Sequence, residues 1–189
     1  SDRVYALSLY LNLYLERMKS MNLRDEAQVI IDTAIRDALP DIAVKKALEG
    51  ENFSYNRLIL VAIGKAAWSM ANSACSILGD RIDGGIVITK YNHSKGALPN
   101  IRIYEAGHPV PDESSFNATQ QVIDMVSNLT ENDKVLLLIS GGGSALFEKP
   151  LISKELLEDI TKQLLASGAN IVEMNTIRKR LSAVKGGKF

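Results

Sequence analysis

Ser140-Gly141-Gly142-Gly143-Ser144 is the segment best suited to grip an anion. Three consecutive glycines bare the main-chain N–H groups and permit positive φ, so the loop can wrap closely round a charged group. The two serine hydroxyls at its rim add further donors. The loop follows Val135–Ile139 without a spacer, an unbroken apolar run that reads as a buried strand. The carboxyl end of a parallel strand is where open α/β sheets bind ligands, so a phosphate or a carboxylate is the expected occupant. A tight structural turn is the plainer alternative, but two glycines would serve that need. The loop is not a Walker A motif, because no Lys-Ser or Lys-Thr pair follows at the required spacing. Nor does it carry the third glycine of the dinucleotide fingerprint.

Lys65 is the second chemical signal. It comes directly after the apolar run Leu58–Ile63 and Gly64, where the sequence predicts the first turn of a helix. A cation there opposes the helix dipole at a cost of about 0.3–1 kcal/mol. The placement makes sense if the lysine faces an anion that the helix N-terminus also holds. A lysine directed into solvent is the alternative. Because Lys65 and the glycine loop both follow buried strands, both should project from the same sheet edge.

A basic stretch closes the chain, with Asn175, Arg178, Lys179, Arg180, Lys185 and Lys188. If it is helical, Arg178, Ser182 and Lys185 fall on one face and bring cations to a phosphate. A solvated basic face explains the same residues. No aromatic platform interleaves with these charges, which argues against nucleic-acid binding. His108, between Gly107 and Pro109, either orients a substrate or caps a turn. Asp112 reads as a helix cap rather than a metal ligand, and Cys75 and Trp68 as packing residues. Gly142-Gly143-Ser144-Ala145-Leu146 approaches a nucleophile elbow but lacks the closing glycine, and no histidine follows Ser144.

The elements that must position these residues alternate. Arg24–Leu39 is an amphipathic helix with apolar Ala27, Ile30, Ile31, Ala34 and Ile35, stopped by Pro40. Asp41 should cap a second helix, through Leu48, that Gly50 closes. Strands follow at 58–63, 85–90, 101–105 and 135–139, with helices at 64–78, 113–129 and 153–166 between and after them. The third strand alternates and should be the less buried. Strands alternating with helices mean an α/β fold, a doubly wound and mostly parallel sheet with helices on both faces, Rossmann-like in architecture.

The 189 residues suffice for one well-buried domain. Lys plus Arg and Asp plus Glu both total 22, so no global field draws the chain to nucleic acid or to a membrane. One cysteine and two histidines exclude an internal disulfide, disfavour a structural zinc site and fit a reducing, cytoplasmic compartment. Val4–Leu15 is faintly like a signal segment, but it has a poor cleavage site and leads into Glu16-Arg17. Residues 1–20 read as an N-terminal extension or a start-site artefact. The ending at Lys185-Gly186-Gly187-Lys188-Phe189 completes no element, which reads as a piece of a longer enzyme.

Taken together, five ordered blocks resemble the N-terminal domain of the glycerate 2-kinases, whose other domain is called MOFRL. They are Gly64-Lys65-Ala66-Ala67 with Met70-Ala71; Gly107-His108-Pro109-Val110-Pro111-Asp112; and Ile139 through Leu146. Leu165-Ala166-Ser167-Gly168-Ala169 and Asn175 through Ser182 with Lys185-Gly186-Gly187 complete them. The resemblance places this domain at 21–189, with the MOFRL domain absent. It implies transfer of the ATP γ-phosphate to D-glycerate, with Mg²⁺, in a cleft between two domains. Many members make 2-phosphoglycerate, and some relatives carry a hydroxypyruvate reductase name. It further implies that Lys65 is catalytic and binds substrate. Ser140, Gly141, Gly142, Gly143 and Ser144 would bind substrate or phosphate oxygens through main-chain donors, with Asn175, Arg178 and Lys185 near the cleft; metal ligands are left unassigned. The alternative reading is a phosphosugar- or anion-binding module without kinase activity. Oligomeric state stays open, a homodimer included.

Overall fold

A computed structural model describes residues 22–51 and 54–189, so the Val4–Leu15 segment lies outside the described residues. The chain divides into two compact units, residues 1–43 and 44–189, so that Val44 and Leu48 belong to the larger one. In the smaller one, helix α1 (Leu23–Asp37) is capped by Asn22, whose side-chain oxygen accepts from the N–H groups of Arg24 and Asp25. The apolar stripe expected on this helix is present, yet no α1 residue is buried, and Ile30 is 69% exposed. Helix α2 (Pro40–Leu48) begins at the proline itself. Proline suits a first helical position because its missing N–H has no partner there anyway. Asp41 therefore sits inside the first turn and is not the cap the sequence suggested.

The larger unit is built on four parallel strands, β1 (Leu58–Ile63), β2 (Gly84–Lys90), β3 (Ile101–Ala106) and β4 (Lys134–Ile139), in the order β3-β2-β1-β4. Alternating side chains of β1 serve two cores. Leu58, Leu60 and Ala62 pack with Ala67, Ala71, Ala74 and Leu78 of α3 (Ala67–Leu78), and with Val44 and Leu48 of α2. Ile59, Val61 and Ile63 pack with Ala118 and Val122 of α4 (Glu113–Val126), and with Leu146 of the single-turn helix α5 (Gly143–Leu146). Every residue of β1 is buried, as expected of a central parallel strand. The fold is thus the expected α/β sheet with helices on both faces.

β4 departs from its sequence reading. It stands at the end of the strand order, and Val135, Leu137 and Ile139 are 39%, 40% and 62% exposed. Leu136 and Leu138 do reach the α3 side of the sheet. A strand covered on one face only carries the same apolar letters as one covered on both, so the run of residues could not reveal the difference.

Helices α6 (Lys154–Ala166) and α7 (Ile171–Arg180) follow. Ser153 caps α6 by accepting from Leu156 N–H at 3.3 Å. Asn170 and Glu173 form a reciprocal capping box on α7. Beyond Arg180 the chain leaves the helix and returns beside residues 149–151. Leu151 N–H donates to Leu181 O at 2.9 Å, and Ala183 N–H to Lys149 O at 2.8 Å. The helical alignment of Arg178, Ser182 and Lys185 is therefore not realised. Ser182 is buried in this strap, at 1% exposure. No helix among the described residues is long and apolar enough to cross a membrane.

Candidate active site

The register sets Ile63 of β1 level with Ile139 of β4. The loops after these two strands consequently emerge side by side, at the point where the strand order reverses. They are latched by main-chain bonds. Ser140 N–H donates to Ile63 O at 2.9 Å, and Lys65 N–H donates to Gly141 O at 2.9 Å. The Ser140 hydroxyl oxygen accepts from Ala66 N–H at 3.0 Å, and its own proton is directed at Ile63 O, 3.5 Å away. Ser140 thus joins the two loops with its side chain as well as its backbone.

Lys65 lies in the turn before α3, two residues ahead of the first helical position, and not in the helix as the sequence suggested. Gly64 is the cause. Its φ of +121° swings the chain out of the strand, and the bond to Gly141 then holds Lys65 in the turn. The Lys65 carbonyl is held as well, 3.1 Å from Nδ1 of His93 and 3.5 Å from the donating Thr89 hydroxyl. A lysine fixed at both its N–H and its C=O can aim its ammonium with little further loss of backbone freedom.

Gly142 is where the sequence signals converge. Its φ is +90°, and a Cβ placed on it would stand 2.9 Å from His108 Cδ2 and 3.3 Å from Lys65 Cγ. The glycine backbone therefore runs flush against both side chains. Burial, followed by the positive charges of Lys65 and Lys90, pulls the His108 imidazolium pKa down, which favours the neutral ring. Among the described residues, the N–H groups of Gly141, Gly142 and Ser144 donate to no protein acceptor. Those of Gly142 and Ser144 belong to residues that line a cleft of about 500 Å³, and Gly141 stands next to them in the loop. That cleft is lined by Ser140, Gly142, Gly143 and Ser144, and by Asn175, Arg178 and Lys185. The structure thus brings Ser140, Gly142, Gly143, Ser144, Asn175, Arg178 and Lys185 to one place, while Gly141 is not part of the lining and instead accepts from Lys65 N–H. Lys65 borders the cleft through Gly142.

Lys185 reaches the cleft by a route the sequence concealed. The strap after α7 delivers it to Glu148, whose Oε2 lies 2.5 Å from the lysine Nζ. Glu148 is 2% exposed and was not singled out in the sequence, where it is one acid in the turn-like Phe147-Glu148-Lys149-Pro150. His93 was also passed over as an ordinary loop residue. Only burial beside Lys185 and Thr119 marks the first, and only the Lys65 carbonyl marks the second. Asp112 is the α4 cap expected of it. It accepts from Ser115 N–H at 2.9 Å and from the Tyr91 hydroxyl at 2.8 Å. Burial works against its charge, but these bonds and one from Gly107 outweigh it and hold the carboxyl below its usual range.

This geometry defines a parallel α/β domain with a glycine-loop cleft at the switch point of its sheet. Residues 26–189 match the family described as a domain of unknown function, DUF4147. The chain belongs to this family, the N-terminal domain of glycerate 2-kinases. It is 51% identical over 170 residues to the D-glycerate 2-kinase of Thermotoga maritima, covering 89% of this chain and 40% of that protein. It is 41% identical over 184 residues to the glycerate 2-kinase of Pyrococcus horikoshii, covering 91% of this chain and 41% of that one. The crystal structure of the Thermotoga maritima glycerate kinase superposes with a TM-score of 0.84 at 51% identity, over 88% of this chain and 40% of that one. The chain therefore spans about two fifths of the length of the relatives it matches.

Proposed function

We propose that this chain supplies the substrate- and phosphate-holding half of a D-glycerate 2-kinase, which moves the ATP γ-phosphoryl group to a hydroxyl of D-glycerate. The observation that carries this reading is the meeting of Lys65, His108 and the glycine loop around Gly142, on a scaffold 51% identical to such an enzyme. Phosphoryl transfer needs positioning and neutralisation of spreading negative charge more than it needs a covalent partner. Lys65, Arg178 and Lys185 bring positive charge, and the bare N–H groups of Gly141, Gly142 and Ser144 bring directional donors. In this reading Lys65 meets the glycerate carboxylate or the moving phosphoryl group. Asn175 and Arg178 orient the substrate from α7.

ATP enters this reading as a substrate. Arg178 lines the glycine-loop cleft and also a second depression of about 390 Å³ walled by Pro109, Val110, Pro111, Phe116 and Leu157. Apolar walls with a cationic rim suit a nucleoside whose phosphates pass Arg178 toward the cleft. A magnesium ion is a different matter. Among the described residues no group of three or more His, Cys, Asp or Glu stands together to hold a metal. Magnesium is commonly held by one or two carboxylates together with substrate phosphates, and the roles above belong to the chain's own side chains and backbone.

A hydroxypyruvate reductase reading would need a nicotinamide site, for which the loop lacks the third glycine. An anion-binding module without turnover accounts for the cradle and for Lys65 alike, and the 51% identity to a D-glycerate 2-kinase is what favours turnover. A cytoplasmic setting fits the single cysteine, Cys75. The deciding experiment is coupled ADP release from the full-length protein with D-glycerate, ATP and Mg²⁺, the product assigned by phosphorus NMR. Phosphate binding without D-glycerate-dependent ADP release would favour the binding module.

A further inference from the structure

Glu148 stands outside the roles assigned so far. Its carboxylate is 2% exposed, and its Oε1 makes no hydrogen bond among the described residues. Its main-chain N–H donates to the buried Thr119 hydroxyl at 3.1 Å, which fixes the segment from behind. A buried carboxylate in that state is expensive unless it is paired, and the pair here is the Lys185 ammonium. That ammonium has three N–H donors and no acceptor. One points to Glu148 Oε2, and a second donates to Phe147 O at 3.0 Å. The third has no acceptor among the described residues, and Lys185 lines the glycine-loop cleft.

We propose that Glu148 is a positioning residue, which holds the Lys185 ammonium so that its remaining N–H faces an anionic oxygen in the glycine-loop cleft. The inference rests on the kinase reading only for the name of that anion. The charged groups around the ammonium are Glu148, which follows α5, together with Arg178 and Lys179 of α7. Burial pulls the Lys185 pKa down, Glu148 opposes that pull, and Arg178 adds to it. Removing the Glu148 charge leaves only the depressing influences. The lysine would then lose its proton at a lower pH than before.

The test uses the full-length protein as wild type, Glu148→Gln, Lys185→Met and the double variant. Each is assayed for D-glycerate phosphorylation and for inorganic phosphate binding by calorimetry, between pH 6 and pH 10. Glu148→Gln should lower kcat/KM and phosphate affinity at least fivefold at pH 8, and shift the alkaline limb of both profiles to lower pH. The double variant should be no worse than Lys185→Met alone, and should regain thermal stability lost in the single variants. A Glu148→Gln protein with a lower Tm but wild-type affinity and pH profile would show a purely structural role and overturn the proposal. So would two single losses that simply multiply in the double variant. Phosphate binding with this pattern but no turnover would sink the kinase reading and leave Glu148 in place. A wild type that binds no phosphate would sink both.

Discussion

Gly64 faces Ser140 so closely that a Cβ on Gly64 would stand 2.6 Å from the Ser140 carbonyl oxygen and 2.8 Å from its carbonyl carbon. Those neighbours are backbone atoms of a central sheet edge and cannot swing aside. The φ of +121° adds strain for any side chain. Gly64→Ala should therefore destabilise the domain by about 2–4 kcal/mol, the range of backbone strain plus overpacking. Thermal unfolding measures it, and a Tm within a degree of wild type would contradict the close approach.

Lys65 has no comparable structural burden on its side chain. Lys65→Ala in the full-length protein should leave the Tm nearly unchanged and lower kcat/KM for D-glycerate at least tenfold, the scale of one lost charge-assisted contact. Steady-state kinetics beside a melting curve separate the two effects. Wild-type turnover would remove Lys65 from the chemistry.

Gly142→Ala tests the contact with His108. The new methyl would meet the imidazole at 2.9–3.0 Å and would sit at a φ of +90°. Activity should fall by roughly tenfold or more, in keeping with a displacement of about 1 Å in a positioned site. Adding His108→Ala should restore part of the phosphate affinity measured by calorimetry, because the ring is the nearest obstacle. No relief in the double variant would mean that φ strain alone is responsible.

Acid should weaken the fold through Asp133. Arg57 holds its carboxylate with two bonds, at 2.7 Å and 3.2 Å, and Thr130 N–H adds a third at 2.8 Å. The Arg57 bonds, followed by that of Thr130, lower the Asp133 pKa far below the usual carboxylate range. A depressed folded pKa means that the stabilisation is complete above the unfolded value of about 3.9 and disappears as pH falls below it. Tm measured from pH 6 to pH 2 should drop less steeply for Asp133→Asn than for wild type. Equal slopes would deny Asp133 that role.

The strands, their order of appearance and the convergence of two loops were legible because buried parallel strands write themselves as apolar runs, and glycines mark the two loops that follow β1 and β4. Leu58–Ile63 and Ser140–Ser144 carried that information in adjacent letters. The exposure of β4 was not legible, since Val135, Leu137 and Ile139 look alike whether or not anything covers them. Helical phase does not explain the place of Lys185, which the family resemblance also sets near the cleft: a strap beyond α7 delivers it. Glu148 carries no such signal in the sequence, because its burial comes from neighbours far along the chain, such as Thr119 at a separation of 29.

The outer margin formed by Val135, Leu137 and Ile139 sets how this polypeptide should behave in isolation. Main-chain groups lacking mates beside greasy side chains invite copies to stack edge to edge. Expressed by itself, the domain should self-associate as its concentration rises. Charged replacements at Val135 and Leu137 should keep it dispersed, with Ile139 left unchanged because it lines the glycine-loop cleft.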